Sequence, residues 1–148
     1  MNDLKSNRPT FRHRGRKYPT VATIIRLHDR ILVESGGLSG VRDAGLLESA
    51  LHKIVEGFGG EDSYPTLFTK TAVVGFSIAQ NHVFSDGNKR TALEAMLLIL
   101  ELNGYAKRPT RQAATTVMVL VATGNLEIAG LRVALLHWCG LNPGDDSL

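Results

Sequence analysis

The sequence has little cysteine and no long apolar run. Cys139 is the only cysteine, so no internal disulfide can form, and no spacing of cysteine and histidine suits a zinc site. No apolar run reaches the roughly 18 residues that a membrane span needs. Residues 1–20 carry charge but lack the apolar centre of a signal peptide. These absences favour a cytoplasmic protein that does not engage a membrane.

Acidic residues are scarce at the N-terminus. Residues 1–19 hold six of the 17 lysines and arginines but one acid, Asp3. Residues 20–148 carry 11 basic and 13 acidic side chains, so the net charge of +3 belongs to the terminal segment. We predict that residues 1–19 form a flexible basic arm. Contact of this arm with an acidic partner or with nucleic acid is the less favoured alternative.

The spacing of apolar residues predicts an all-α fold, and a length of 148 residues fits one domain. Six helices are predicted, over about 21–34, 43–55, 66–80, 91–103, 110–123 and 126–139. Asp43 and Thr110 are placed as N-caps. The fourth helix is apolar almost all round, so we expect a compact bundle of about six helices around it. A short hairpin within 57–65 and a strand at 104–108 are both compatible with the pattern, and residues 141–148 read as a polar tail.

The richest chemistry lies just before the fourth helix, in the segment His82-Val83-Phe84-Ser85-Asp86-Gly87-Asn88-Lys89-Arg90. The N-terminus of a buried helix is a fixed anion site, because free N–H groups and the helix dipole favour negative charge there. Gly87 lets a ligand approach the backbone. Lys89 and Arg90 would oppose the dipole without an anionic ligand. Asp86 suits the role of an N-cap, or that of a ligand to a Mg²⁺ ion that bridges the carboxylate to phosphates. His82 has a side chain suited to proton transfer near neutral pH. Phosphoryl or nucleotidyl transfer needs these groups.

This nonapeptide resembles the signature of the Fic/Doc family, His-x-Phe-x-[Asp/Glu]-[Gly/Ala]-Asn-[Gly/Lys]-Arg, at every specified position. The similarity extends over about residues 20–140, through the glycine-rich segment 36–40 and the segment 122–124. Most Fic proteins transfer AMP, and they carry glycine at the position of Lys89 and a second arginine at the position of Leu93. Both departures point to the Doc branch, the toxins of Phd–Doc toxin–antitoxin pairs.

The resemblance implies a Fic/Doc-like helical domain over residues 20–140 and a protein kinase activity. The kinase would transfer the γ-phosphate of ATP, with Mg²⁺, to a threonine or serine of a translation factor, elongation factor Tu by resemblance, and so inhibit translation. Its site residues would be His82 as general base, Asp86 as the metal ligand, and Gly87, Asn88, Lys89 and Arg90 as phosphate-binding residues.

The resemblance also implies a partner. Many Fic proteins carry an inhibitory [Ser/Thr]-x-x-x-Glu-[Gly/Asn] motif, but here His52 stands four residues before Glu56, so that motif is absent. Restraint by a Phd-like antitoxin is therefore expected, through a disordered segment that folds into a helix in a groove of the toxin. In Fic-type proteins the segment before the motif helix is a flap for the target peptide, which suggests that role for residues 57–65.

Two alternative functions stay open. One is AMP transfer to a protein hydroxyl, against which Lys89 and Leu93 argue. The other is a non-catalytic growth inhibitor that binds the ribosome or RNA through residues 1–19; the intact segment from His82 to Arg90 argues against it, because a pure binder needs no base. His28, beside Asp29 on the inner face of the first helix, is expected to be a hydrogen-bonded core histidine.

Overall fold

The computed structural model describes residues 3–146 and is mostly helical. Its helices are α1 (Val21–Ser35), α2 (Ala44–His52), α3 (Leu67–Asn81), α4 (Asn88–Leu102), α5 (Arg111–Ala122) and α6 (Ile128–Trp138). Four short strands form two antiparallel hairpins, β1 (Thr10–His13) with β2 (Arg16–Pro19) and β3 (Gly57–Phe58) with β4 (Glu61–Asp62). The prediction of an all-α bundle of six helices is confirmed. No helix within residues 3–146 is both long and apolar enough to cross a membrane.

Helix α4 lies at the centre of the bundle, as its composition predicted. Ala92, Ala95, Met96 and Ile99 are all fully buried, and α1, α3, α5 and strand β2 pack around the helix. Its closest neighbour is α3. A methyl group added at Gly75 of α3 would meet the sulfur of Met96, so glycine at this position permits the close approach of the two helices. Both ends of the loop between α3 and α4 are thereby fixed.

Four helices begin with a side-chain cap that the local sequence supplies. The side chains of Thr20, Asp43, Thr66 and Thr110 each accept a hydrogen bond from the backbone N–H three residues later. Such caps satisfy one of the free N–H groups of a helix start. The predicted N-caps Asp43 and Thr110 are thus confirmed, as is a hairpin within residues 57–65. Residues 104–108 do not form a strand.

The N-terminal segment differs from the flexible arm that its charge predicted. Strands β1 and β2 pair across Arg14-Gly15, whose positive φ angles of 49° and 80° are those of a tight type I′ turn. Phe11 and Tyr18 are buried at 4% and 1% exposure, and their rings lie 5.7 Å apart. Burial of two aromatic side chains stabilises the hairpin against the domain, and the basic residues between them obscured this in the sequence.

The predicted polar tail also contacts the domain over its described residues. The carboxylate of Asp146 accepts hydrogen bonds from the Thr66 hydroxyl at 2.7 Å and from the Phe68 N–H at 3.4 Å, at the start of α3. The Arg132 guanidinium of α6 donates to the same carboxylate at 2.7 Å. A carboxylate at a helix N-terminus complements the helix dipole. Asp146 therefore stabilises the start of α3 and, through Arg132, connects it with α6. Residues 147 and 148 of the predicted tail lie outside the described residues.

A buried ion-pair network joins the two hairpins to α3. Asp62 of β4 accepts hydrogen bonds from Lys70 of α3 at 2.7 Å, from His13 at 2.8 Å and from Arg14 at 3.1 Å. Lys70 is 2% exposed, and its ammonium also donates to the Ile54 carbonyl at 2.6 Å. Burial alone would raise the pKa of Asp62, but the hydrogen bonds from Lys70 and His13 outweigh it and lower that pKa from 3.8 to about 2.

Candidate active site

The loop between α3 and α4 holds the residues that the sequence singled out. Helix α3 ends at Asn81, and His82 adopts a left-handed backbone conformation with φ 49° and ψ 54°. This conformation is uncommon for a residue with a side chain, although histidine adopts it more often than most. The imidazole is exposed and makes no hydrogen bond within residues 3–146. Its ring nitrogens are therefore open to a substrate.

The N-terminus of α4 offers free hydrogen-bond donors. The helix begins at Asn88, three residues earlier than predicted, and Gly87 is its N-cap with φ 78°. No side chain caps this end, so the N–H groups of Asn88, Lys89 and Arg90 lack partners within the helix. Together with the positive end of the helix dipole, these groups suit the binding of a phosphate. The N-cap interpretation of Asp86 is wrong, because Gly87 occupies that position.

Two cations stand on the same turn. The Lys89 ammonium is exposed and forms no ion pair within the described part of the chain. Arg90 lies 3.5 Å from the Glu34 carboxylate of α1, and both side chains are about half exposed. An exposed pair of this kind contributes little to stability. Both cations are therefore available to an anion bound at the start of α4.

The side chain of Asn88, which was predicted to bind phosphate, is hydrogen-bonded to the loop, and its phosphate-binding role stays a prediction. The Phe84 N–H donates to the Asn88 Oδ1 at 2.9 Å, and the Asn88 Nδ2 donates to the Phe84 carbonyl at 2.9 Å. This pair of bonds holds the loop against the first turn of α4. While it is intact, Asn88 offers a phosphate its backbone N–H and the second hydrogen of Nδ2.

The Asp86 carboxylate is held by backbone donors at the edge of the site. Its Oδ1 accepts from the Gly87 N–H at 2.9 Å, and its Oδ2 accepts from the Leu38 N–H at 3.3 Å. A Cβ atom at Gly37 would lie 2.8 Å from the Oδ2, so glycine there makes room for the carboxylate. Each oxygen keeps a lone pair for a further ligand. Within residues 3–146 no group of three or more potential metal-binding side chains exists.

His28 of α1 supports the loop from inside the core, where the sequence placed it. Its ring stacks on Phe84 with 3.8 Å between centroids and 7° between planes. The Nε2 lies 2.8 Å from the Asp86 carbonyl and must carry the proton, because a carbonyl only accepts. The buried Nδ1 has no hydrogen-bond partner; the Asp29 carboxylate is 3.6 Å away. The expectation of a hydrogen-bonded core histidine is confirmed. Its hydrogen-bond partner, the Asp86 carbonyl, belongs to the candidate site.

Arg42, which the sequence did not single out, contacts the base of the same loop. Its Nε donates to the His82 carbonyl at 2.7 Å and its Nη2 donates to the Asn81 carbonyl at 2.9 Å. The glycine-rich segment 36–40 just before it was noticed as part of the family resemblance. No spacing rule connects a residue there with residues 40 positions later, so only the three-dimensional structure identifies Arg42.

The β3–β4 hairpin belongs to the other end of α3. Lys70, which contacts Asp62 of β4, lies 11 residues before Asn81, the last residue of α3, or about 16 Å at roughly 1.5 Å per residue. Phe58 in this hairpin is 94% exposed. The flap role suggested for residues 57–65 stays a prediction.

Comparison with known proteins places this arrangement in a family. A model of the Fic/DOC family matches residues 18–100, which is more than half of the chain and includes the whole loop between α3 and α4. The chain therefore belongs to the Fic/Doc family.

Two relatives of known name belong to the Doc branch of this family. The chain is similar to the "Protein kinase doc" of Escherichia phage P1, with 32% identity over 117 residues that cover 79% of this chain and 91% of the phage protein. It is also similar to the "Toxin Doc" of Mycolicibacterium smegmatis, with 45% identity over 69 residues. That second match spans 47% of this chain and about half, 53%, of the mycobacterial protein. The resemblance to Doc-type toxins seen in the sequence is thereby confirmed.

Proposed function

We propose that this protein is a Doc-type toxin that acts as a protein kinase, transferring the γ-phosphate of ATP to a serine or threonine hydroxyl of a translation factor. The observation that carries the proposal is the juxtaposition of an exposed histidine, His82, with the uncapped, doubly cationic start of α4. The name of the phage relative, a protein kinase, supports the same activity.

In the proposed reaction the target hydroxyl attacks the γ-phosphorus in line with the bond to the β,γ-bridging oxygen. His82 accepts the hydroxyl proton as the new O–P bond forms. The bond from phosphorus to the bridging oxygen breaks, and ADP leaves with its electron pair. The N–H groups at the start of α4, with Lys89 and Arg90, hold the phosphate oxygens and stabilise the charge that moves onto them. Gly87 leaves the backbone open to the nucleotide.

The site fits a Mg²⁺ that arrives with the nucleotide. Mg²⁺ is usually held by one or two carboxylates together with substrate phosphates and water, and Asp86 is a single exposed carboxylate with free lone pairs at the edge of the phosphate site. Asp86 would hold the ion, which would neutralise phosphate charge when bound. The two backbone N–H donors to Asp86 fix the direction of its carboxylate.

Lys89 is our reason for preferring kinase activity to AMP transfer. The family resemblance associates glycine at this position with AMP transfer and lysine with an inverted nucleotide and transfer of the γ-phosphate. The Lys89 side chain is exposed and unpaired within residues 3–146, so it is free to fill the space beside the helix start. Leu93, one turn further along α4, replaces the second arginine of the AMP-transferring relatives.

The position of the label that reaches the target distinguishes the two reactions. We expect purified elongation factor Tu to retain label from γ-labelled ATP and none from α-labelled ATP, and we expect EDTA to abolish the transfer. Retention of the α label would mean AMP transfer despite Lys89. No label from either nucleotide, with this target or with a cell lysate, would contradict the proposed enzyme. Steep salt-dependent binding to RNA would then favour the non-catalytic alternative.

We further propose that an antitoxin helix binds the groove between α1, α4 and α5. Two adjoining pockets of about 350 and 330 Å³ share Arg90, Glu94 and Arg108. Leucines of α1 and α4 line them, with Arg30 on one side and Arg111 on the other. Four arginines against two glutamates favour an amphipathic helix with acidic residues. Because Arg90 also belongs to the candidate site, a helix bound here would cover it.

Charge reversal in this groove tests the antitoxin proposal. Arg30 and Arg111 form no ion pair within residues 3–146, so Arg30→Glu and Arg111→Glu break no internal ion pair. We expect each change to weaken binding of the purified antitoxin about tenfold, measured by calorimetry at low salt. Arg26→Glu is the control, because Arg26 lies on α1 and contacts only Thr23 of its own helix. Equal affinity for all three variants and the wild type would place the antitoxin elsewhere.

A further inference from the structure

We propose that Arg42, which lies outside the family motif, positions the His82 imidazole by holding the two main-chain carbonyls at the end of α3. This inference rests on the proposed role of His82 as the general base. The Arg42 Nε donates to the His82 carbonyl at 2.7 Å, and its Nη2 donates to the Asn81 carbonyl at 2.9 Å. The planar guanidinium thus spans both carbonyls from one side chain.

The end of α3 presents carbonyl groups that such a donor can stabilise. The last carbonyls of a helix have no partner within the helix, and they carry the negative end of its dipole. Here the next residue, His82, is left-handed, a conformation in which a side chain is disfavoured unless its surroundings impose it. Glycine usually occupies this position at a helix end. A cation that donates to both carbonyls stabilises the conformation that sets the direction of the His82 side chain.

The other hydrogen bonds between residues 40–43 and the loop do not involve the Arg42 side chain. The backbone N–H groups of Arg42 and Asp43 donate to the Val83 carbonyl at 2.9 and 3.0 Å, and the Ser85 N–H donates to the Gly40 carbonyl at 3.2 Å. These bonds persist when the side chain is shortened. Substitution of Arg42 therefore releases residues 81 and 82 while the following part of the loop stays attached.

The other loop carbonyls are held by different groups. The Phe84 carbonyl accepts from Asn88, the Asp86 carbonyl from His28, and the Gly87 carbonyl from the Thr91 N–H. None of these donors reaches the carbonyl of His82. Arg42 is consequently the one side chain, among the described residues, that acts directly on the backbone of the proposed base.

The inference predicts a loss in turnover without a loss in nucleotide binding. We expect Arg42→Ala to lower kcat about 10- to 100-fold, the size of effect that misplacing a catalytic group has, with the KM for ATP changed less than about twofold because the phosphate-binding groups on α4 are untouched. The kcat of Arg42→Lys should lie between those of the wild type and Arg42→Ala, since an ammonium keeps the charge but cannot span both carbonyls in the same plane. Millimolar guanidinium should restore part of the activity of Arg42→Ala.

The experiment pairs these kinetics with a measurement that needs no activity. NMR signals of the His82 ring and hydrogen exchange of the amides of residues 82–84 should change in Arg42→Ala and stay unchanged in Arg26→Ala, the matched exposed arginine. Unchanged His82 signals, or lower thermal stability with unaltered kcat, would overturn the inference. If the wild type transfers no phosphate, the proposed function fails, and the His82 signals still decide whether Arg42 sets the position of the ring.

Discussion

Replacing His82 with asparagine is expected to lower phosphate transfer by about 10²- to 10⁴-fold, the contribution typical of a positioned general base. The asparagine side chain cannot take up a proton near neutral pH, whereas it tolerates the left-handed backbone of this position about as well as histidine does. The imidazole makes no hydrogen bond within residues 3–146, so the change removes the proton acceptor without breaking a hydrogen bond of the folded protein. His82→Ala should give the same loss of activity with a slightly less stable loop.

Stability and nucleotide binding serve as internal controls for this result. An exposed side chain without partners contributes little to the free energy of unfolding, so the melting temperature of His82→Asn should stay within a few degrees of the wild type. ATP should still bind, since its proposed contacts are on α4. His52→Asn is the matched control, because His52 is also exposed and ends a helix; it should retain full activity. Transfer by His82→Asn within twofold of the wild type would rule out the general-base role.

The sequence predicted the helical part of the fold well, because the local rules and the tertiary structure agree there. Apolar spacing located all six helices, and the capping residues Asp43 and Thr110 fixed two of their starts. Helix α4 begins three residues before its apolar stretch. Polar residues occupy its first turn, and a first turn exposed to ligand or solvent carries no apolar signal.

The N-terminal hairpin was missed because two short strands leave a weak pattern. Phe11 and Tyr18 are the only large apolar side chains among many basic ones between residues 10 and 19. Strand β2, which carries Tyr18, packs against the distant α4 and α1, and this surface cannot be inferred from the local sequence. The positive φ angles of Arg14 and Gly15 are likewise a property of the folded turn. Composition alone therefore favoured a flexible arm.

The candidate site was predictable as a set of residues but not as a set of contacts. The segment from His82 to Arg90 is contiguous, so the family signature found it directly. Its supports come from elsewhere: His28 lies on α1 and Arg42 precedes α2. These contacts join residues 40 or more positions apart, and each uses a backbone carbonyl, which leaves no trace in the sequence of the loop.

The largest effect on stability is expected at Asp62. In Asp62→Ala the Lys70 ammonium, 2% exposed, would keep only the Ile54 carbonyl as its partner. Removing one partner of a buried ion pair costs about 3–5 kcal/mol, because a charge remains buried without compensation. The change would also remove the hydrogen bonds of His13 and Arg14 to this carboxylate, although Arg14 would keep its bond to the Gly60 carbonyl. Urea unfolding should show this loss, whereas Glu48→Ala should change stability by less than about 1 kcal/mol, because its pair with Lys5 is exposed.

A second variant separates the cost of leaving the Lys70 charge buried from the cost of losing the volume of the Asp62 side chain. The double change Asp62→Leu with Lys70→Met replaces both charges by apolar groups, and such replacements of buried ion pairs are often neutral or stabilising. We expect the double variant to be more stable than Asp62→Ala. Equal instability of the two would mean that the network contributes through the hydrogen bonds of His13 and Arg14, and not through the compensation of Lys70.

The same carboxylate should make stability depend on pH in the acid range. The folded pKa of Asp62 is about 2, below its ordinary 3.8, so the folded protein binds the proton less readily than the unfolded chain. The resulting stabilisation, about 2 kcal/mol, is complete above pH 4 and disappears as the pH falls towards 2. The difference in unfolding free energy between the wild type and Asp62→Ala should therefore shrink over that interval. A difference that stays constant from pH 5 to the lowest pH at which the wild type is folded would show that Asp62 ionises normally in the folded protein.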